Sequence, residues 1–168
     1  NHSFITCNLT LLNEIGTVIR SESVFLGKKS TSGQSLKLAI QVHQNGDLLK
    51  AKHMYQKILG VDQNNHVALH LFGVLSNQMS KNDIAVELIK QALATKPYNA
   101  EAHNDLGNAL KDLGRLEDAV ASYQKALAIQ PDYAEAHSNL GVAFQKLGKL
   151  DEAVASHHKA LAIKPDLA

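Results

Sequence analysis

Residues 100–133 read AEAHNDLGNALKDLGRLEDAVASYQKALAIQPDY, and residues 134–167 read AEAHSNLGVAFQKLGKLDEAVASHHKALAIKPDL. The two segments agree at 21 of 34 positions. Residues 66–99 match them more loosely, and residues 32–65 match only at a few key positions. Residues 1–31 show no trace of the pattern. A fixed period of this length is typical of repeat architectures, in which each unit packs only on its neighbours.

The turn-forming residues follow the same period. The chain has only three prolines, and they lie 34 residues apart (Pro97, Pro131 and Pro165). One glycine series keeps the same spacing, with Ser80 in its missing place (Gly46, Gly114 and Gly148). These residues therefore mark the boundaries of the repeats and of the elements within them.

Each unit is predicted to be a pair of helices. In residues 100–133, apolar side chains recur at helical spacing in two runs, Ala102 to Leu113 and Leu116 to Leu127. Gly114 separates the runs and should end the first helix in a left-handed conformation, while the second helix should stop before Pro131. Small residues such as Gly107 and Ala119 should let the paired helices cross closely. The predicted fold class is all-α, a solenoid of stacked antiparallel helix pairs forming a right-handed superhelix with a concave side.

The spacing of these residues resembles the tetratricopeptide repeat. The matching positions in the third unit are Leu106-Gly107, Ala119, Tyr123, Ala126 and Pro131, and in the fourth they are Leu140-Gly141, Ala153, His157, Ala160 and Pro165. The second unit offers Phe72-Gly73, Ala85, Ile89, Ala92 and Pro97. The resemblance implies four repeats, 32–65, 66–99, 100–133 and 134–167. Residues 1–31 would be a leader, poorly ordered or packed on the first repeats, and Ala168 would start a truncated fifth repeat.

Composition argues against several classes of partner. The formal net charge is +1 and only eight aromatic residues (four Tyr, four Phe) are present, so the chain lacks the basic, aromatic stripe of a nucleic-acid-binding protein. No apolar run is long enough to cross a membrane. Cys7 is the only cysteine, which excludes an internal disulfide and fits a reducing, cytoplasmic compartment.

No motif for catalysis, a cofactor or a metal is recognised. The chain lacks a phosphate-binding loop, His-Glu-x-x-His, Cys-x-x-Cys and Gly-x-Ser-x-Gly. His103 and His137 occupy equivalent repeat positions, about 10 Å apart for packed helices, which is too far for one metal ion. We interpret both as half-buried core histidines, and we predict that this chain is not itself an enzyme and binds no cofactor.

The resemblance implies that partners bind on the concave face, which the first helix of each repeat lines. The candidate partner-binding residues are Glu101, Asn104, Asp105, Asn108, Lys111, Ser138, Asn139, Gln145 and Lys146. Asparagine and serine can bond the amide groups of an extended peptide without reading its side chains. Asn139 stands where repeat proteins resembling O-linked N-acetylglucosamine transferases carry an asparagine ladder, which Asp105 interrupts. The alternative is a solvated polar face without a ligand.

The second repeat is less polar at the equivalent positions. Val67, His70, Leu71 and Val74, together with Leu36 and Ile40, are expected to form an exposed apolar patch. Such patches usually mark interaction sites. Either a partner's amphipathic helix or the chain's own residues 1–31 could cover this one.

Two functional hypotheses remain open. The chain is either a scaffold that binds a protein or peptide, or the substrate-docking arm of a larger bacterial enzyme of the glycosyltransferase or sulfotransferase type. Reading the coding frame past residue 168 discriminates them, because a stop codon there excludes the docking arm. We also expect an exposed apolar edge at Leu150, Val154, Leu161 and Ile163, through which the chain could associate with itself or a partner.

Overall fold

A computed structural model describes residues 32–165, with Ser32 described through its backbone alone. The regular structure in this range is helical. Its eight helices are α1 (Ser32–Gln44), α2 (Leu48–Val61), α3 (His66–Gln78), α4 (Asn82–Thr95), α5 (Ala100–Asp112), α6 (Leu116–Ile129), α7 (Ala134–Lys146) and α8 (Leu150–Ile163). The predicted leader and the start of a fifth repeat lie outside the described residues.

The predicted all-α class is confirmed, and the helices pack as successive pairs. The chain divides into two compact units, and the boundary after Ala68 falls inside α3. In the first unit, α1 and α2 pack against each other around the fully buried Tyr55. The ring of His43 meets Tyr55 edge-on, and its Nδ1 lies 3.3 Å from the tyrosine hydroxyl. This contact gives the hydroxyl of the buried tyrosine a hydrogen-bond partner.

In the second unit each helix packs on the next along the chain. Contacts of α6 with α7 join the hairpins α5–α6 and α7–α8, and α4 packs against α5. One core of small and branched side chains runs through these helices (Ala85, Val86, Ile89, Ala102, Leu106, Ala109, Leu110, Ala119, Tyr123, Leu140 and Ala143). Because alanine fills many of these contacts, the helices can approach closely.

Tyr123 explains why residue 107 is glycine. A Cβ on Gly107 would collide with the Tyr123 ring, which is fully buried. The same relation recurs at Gly141, where a Cβ would lie 2.6 Å from His157 Cε1. The predicted close crossing is therefore confirmed in these two pairs, and the side chain that meets the glycine comes from the second helix of the pair.

The turn within each pair has a left-handed residue at its predicted place. Gly114 has a φ of +75°, and the N–H of Arg115 donates to the Leu110 carbonyl at 2.9 Å, which closes the end of α5. Ser80 takes the equivalent place after α3 with a φ of +58°. A side chain in this conformation costs roughly 1–2 kcal/mol that glycine avoids. The helix α6 ends at Ile129, ahead of Pro131 as predicted.

Candidate protein-binding surface

Hydrogen bonds join the first helices of successive repeats in the second unit. The bonds run from His70 Nε2 to Asp105 Oδ2 (2.8 Å), from Asn77 Nδ2 to Asp112 Oδ2 (3.0 Å), and from Asn139 Nδ2 to Asn104 Oδ1 (3.0 Å). In each bond the partners lie 35 residues apart, which is one repeat plus one residue. We call the surface that carries these bonds the polar face. Its first junction lies between α3 and α5, and its second between α5 and α7.

The first junction is closed by a buried pair. The side chains of His70 and Asp105 are only 7% and 22% exposed, and the imidazole N–H donates to the carboxylate. The expectation that His70 belongs to an apolar patch is therefore wrong, because its ring is used in a polar contact. This bond engages Oδ2 of Asp105, and the other carboxylate oxygen can still accept a hydrogen bond. The residues of this junction connect the repeats to each other.

The other members of the expected apolar patch are half-buried rather than exposed. Val67, Leu71 and Val74 on α3 each keep only part of their surface in contact with solvent. Leu36 and Ile40 on α1 are half-buried as well. Side chains already covered to this extent leave little apolar surface for a partner.

Among residues 32–165, the Asn139–Asn104 bond is the side-chain hydrogen bond that joins α5 to α7 at the second junction. Asn104 is 3% exposed, so its amide is a buried connector rather than a free ligand group. Asn139 is half-buried and donates through its NH₂ group, which leaves its amide oxygen oriented by the bond. In the described part of the chain that oxygen has no hydrogen bond of its own. It can accept an N–H from a bound peptide.

An open pocket of about 330 Å³ lies at the second junction. Its lining is polar and rich in carboxylates (Glu101, Asn104, Asp105, Asn108, Tyr133, Glu135, Ser138 and Asn139). Burial, together with the nearby negative charges of Glu135, Asp105 and Glu101, raises the pKa of the Tyr133 phenol to about 12. The pocket therefore surrounds an uncharged phenol with acidic groups.

Tyr133 stands at the position where the two preceding repeats have a helix-capping asparagine. At the two preceding repeat boundaries, Asn65 accepts from the Ala68 N–H and Asn99 from the Ala102 N–H, which caps α3 and α5. Tyr133 holds the equivalent position before α7 and makes no such bond. A lost cap costs about 1 kcal/mol, and here the pocket has a phenol ring in its place. Sequence reasoning missed this residue, although its place in the Asn65–Asn99 series marks it.

Most other predicted binding residues lie in or near the pocket. Six of the nine line it (Glu101, Asn104, Asp105, Asn108, Ser138 and Asn139). Asn108 is engaged within the repeat, since the Tyr123 hydroxyl donates to its Oδ1 at 2.9 Å. Lys111 is half-buried toward the end of α5, whereas Gln145 and Lys146 are exposed at the end of α7, and none of the three lines the pocket.

The repeated histidines are tied to the loops before their helices. His103 Nε2 donates to the Pro97 carbonyl at 3.0 Å, and His137 Nε2 donates to the Pro131 carbonyl at 2.9 Å. Burial lowers the pKa of His103, whose Nδ1 has no hydrogen-bond partner; the Pro97 carbonyl opposes this shift and Lys125 adds to it. Across residues 32–165 no group of three or more His, Cys, Asp or Glu side chains is arranged to hold a metal ion.

The stacked helix pairs and the polar face define a helical-repeat protein. Two models described as tetratricopeptide repeat match residues 88–121 and 134–167, and a third, described as TPR repeat, matches residues 107–148. Residues 88–167 of the chain therefore carry tetratricopeptide repeats. This class makes it a protein-interaction module whose partners are proteins.

Solved structures of MamA resemble this chain. One is 22% identical and covers 90% of this chain and 85% of its own with a TM-score of 0.75. A second is 26% identical, covering 83% and 76% with a TM-score of 0.74. A third, residues 41 to the end of MamA from Desulfovibrio magneticus RS-1, is 21% identical, covering 83% and 78% with a TM-score of 0.76. At these sequence identities, the similarity shows a shared fold.

Two further observations complete the comparison. No curated protein matches the sequence of this chain. None of the described helices has both the length and the apolar character to cross a membrane.

Proposed function

We propose that the second junction of the polar face binds an extended segment of a partner protein and places a lysine or arginine side chain of that segment in the pocket beside Tyr133. The observation that carries this proposal is the pocket itself. It combines an oriented amide on Asn139 with a phenol and three carboxylates, Glu101, Asp105 and Glu135.

The chemistry of the lining matches such a segment. The amide oxygen of Asn139 and the hydroxyl of Ser138 suit backbone N–H groups, which are common to all peptides. The exposed carboxylates of Glu101 and Glu135 suit a cationic side chain, and an aromatic ring also attracts a cation through its face. Backbone recognition would supply affinity, and the pocket would supply selectivity for charge.

Selection of peptides from a displayed random library on the full chain tests this proposal. We expect selected peptides to carry Lys or Arg and to lose about tenfold in affinity when Asn139 and Tyr133 are both changed to Ala. Asn104 and Asp105 are poorer targets because their side chains connect the repeats. Asn139 also bonds Asn104, so the single change Tyr133→Ala separates loss of the pocket from loss of that bond. The matched control is Gln145→Ala, which removes an amide from the same helix outside the pocket.

The outcomes distinguish binding in the acidic pocket from binding elsewhere on the chain. The acidic pocket is supported if the double change lowers the affinity, Gln145→Ala leaves it unchanged, and added salt weakens it. Peptides that bind the double variant as tightly as the natural chain contradict it. The docking-arm hypothesis uses the same surface for a substrate segment, and the coding frame past residue 168 tests that hypothesis separately.

A further inference from the structure

The hydrogen bonds of the polar face recur from one junction to the next with one exception. The buried pair of the first junction has its equivalent, one repeat later, in the asparagine pair of the second. The other bond of the first junction joins Asn77 to Asp112. One repeat later the same two places hold Lys111 and Lys146, which are again 35 residues apart. Two lysines therefore stand at the second junction where the first has a hydrogen bond.

The two lysines have no bonded partner among residues 32–165. Neither ammonium group makes a hydrogen bond or an ion pair with a described residue, and Lys111 is half-buried while Lys146 is exposed. Two ammonium groups repel each other, whereas one carboxylate attracts both. A repeat following in the chain would pair with Gln145, the residue of α7 equivalent to Lys111, so it would leave Lys146 beside α5. The lysine pair has the charge of a site for a carboxylate.

Lysine is not a general feature of helix ends in this chain. Cations favour the negative, C-terminal end of a helix, so a lysine there could serve the helix alone. Of the eight described helices, however, only α5 and α7 carry a lysine in the last turn. These are the two helices that form the second junction. The lysines are therefore tied to this junction and not to helix ends as such.

The lysine pair lies at the other end of the second junction from the acidic groups. Glu101 and Glu135 are in the first turns of α5 and α7, and the lysines are in the last turns of the same helices. Lys111 follows Asn104 by seven residues and Glu101 by ten, which is about 10–15 Å along the helix. An extended chain advances about 3.3 Å per residue, so a segment of about three to five residues spans this distance.

We propose that Lys111 and Lys146 bind the carboxylate of an aspartate or glutamate side chain of the partner segment, about three to five residues from the lysine or arginine in the pocket. This inference rests on the proposed function, which places the segment at the second junction. The segment then lies along α5 and α7, with its cationic residue at the start of these helices and its acidic residue at their end. Two opposite charges at a set spacing select the partner, which a cationic residue alone does not.

Fluorescence titration of the full chain with the selected peptides tests the lysine pair. The peptides carry an amidated C-terminus, so that a terminal carboxylate cannot occupy the site. We expect Lys111→Gln and Lys146→Gln together to weaken binding about three- to tenfold, as the loss of exposed ion pairs does. Replacing the acidic residue of the peptide by its amide should weaken binding equally, and combining both changes should add little more. The control Lys125→Gln removes the same charge from an exposed position on α6 and should leave the affinity unchanged.

Reversal of the charges gives a second readout. Lys111→Glu together with Lys146→Glu should weaken binding of the acidic peptide and favour a peptide with lysine in place of its acidic residue. A variant that has merely lost its structure would bind neither peptide, so this exchange separates recognition from damage.

The outcomes separate this inference from the proposed function. The lysine site is overturned, and the pocket kept, if Tyr133→Ala weakens binding while the two Lys→Gln changes do not. Selected peptides that bind through Tyr133 but lack an acidic residue at this spacing also overturn it. Peptides that tolerate Tyr133→Ala as well as the lysine changes contradict the proposed function and this inference together.

Discussion

The two junctions of the polar face are built from the same repeat but differ in use. The first junction holds two helix-to-helix bonds, one of them the buried His70–Asp105 pair. The second holds one such bond and opens into the acidic pocket beside Tyr133. At the first junction the polar side chains bond across the repeats, whereas the pocket at the second leaves Glu101 and Glu135 exposed to solvent. The comparison teaches that a shared repeat position does not imply a shared role.

The largest effect is expected from removing the buried pair at the first junction. His70→Ala leaves the partly buried Asp105 carboxylate without its donor and should lower the free energy of unfolding by about 2–3 kcal/mol. Chemical denaturation of both chains measures this. The matched change at the second junction, Asn139→Ala, leaves the buried but neutral Asn104 oxygen without its donor and should cost less, about 1–2 kcal/mol, because no charge is left unpaired. Equal losses at the two sites would contradict the division of roles.

The turns after α3 and α5 allow a second comparison, because Ser80 ends α3 at the position where Gly114 ends α5. Ser80→Gly should raise the free energy of unfolding by about 1 kcal/mol, since glycine adopts the left-handed conformation without strain. Thermal and chemical denaturation report the change. Gly114→Ser is the reciprocal control and should lower stability by a similar amount. A stabilising Gly114→Ser would refute the assignment of strain to this turn.

Tyr133→Asn makes the second junction resemble the first at its helix cap. The new amide can accept from the Ala136 N–H and contribute about 1 kcal/mol, which offsets the burial lost with the ring. We therefore expect stability within about 1 kcal/mol of the natural chain and clearly weaker binding of the selected basic peptides. Denaturation and fluorescence titration measure the two quantities. Undiminished binding would show that the ring has no part in the pocket.

The smallest effect concerns pH and the histidine at the start of α5. Burial lowers the pKa of His103 below its usual 6.5, so the unfolded chain takes up this proton at a higher pH than the folded chain does. Stability attributable to His103 is therefore complete above pH 6.5 and is lost as the pH falls from there towards the lowered value. NMR titration of the ring, and denaturation of His103→Asn at pH 5 and pH 8, test this. A ring that titrates above 6.5 contradicts it.

The repeat period predicted the fold because each unit contains its own local signals. Gly114 and Ser80 marked the turns, and the small residues at 107 and 119 marked the close contact of each pair. The same period did not predict the hydrogen bonds between repeats. It compared residues 34 apart, whereas the bonds of the polar face join residues 35 apart. The offset of one residue arises from the packing of neighbouring helices. It pairs His70 with Asp105 and Asn104 with Asn139, and a comparison of residues 34 apart does not show these pairs.

The central claim is that the second junction, and not the first, receives a partner segment. Amide chemical shifts of the full chain during titration with the tightest selected peptide test it most directly. We predict that changes concentrate in residues 101–108 and 133–139 and saturate with the measured affinity. Changes confined to α3, or to α8, with the amides around Tyr133 and Asn139 unmoved, would contradict the account.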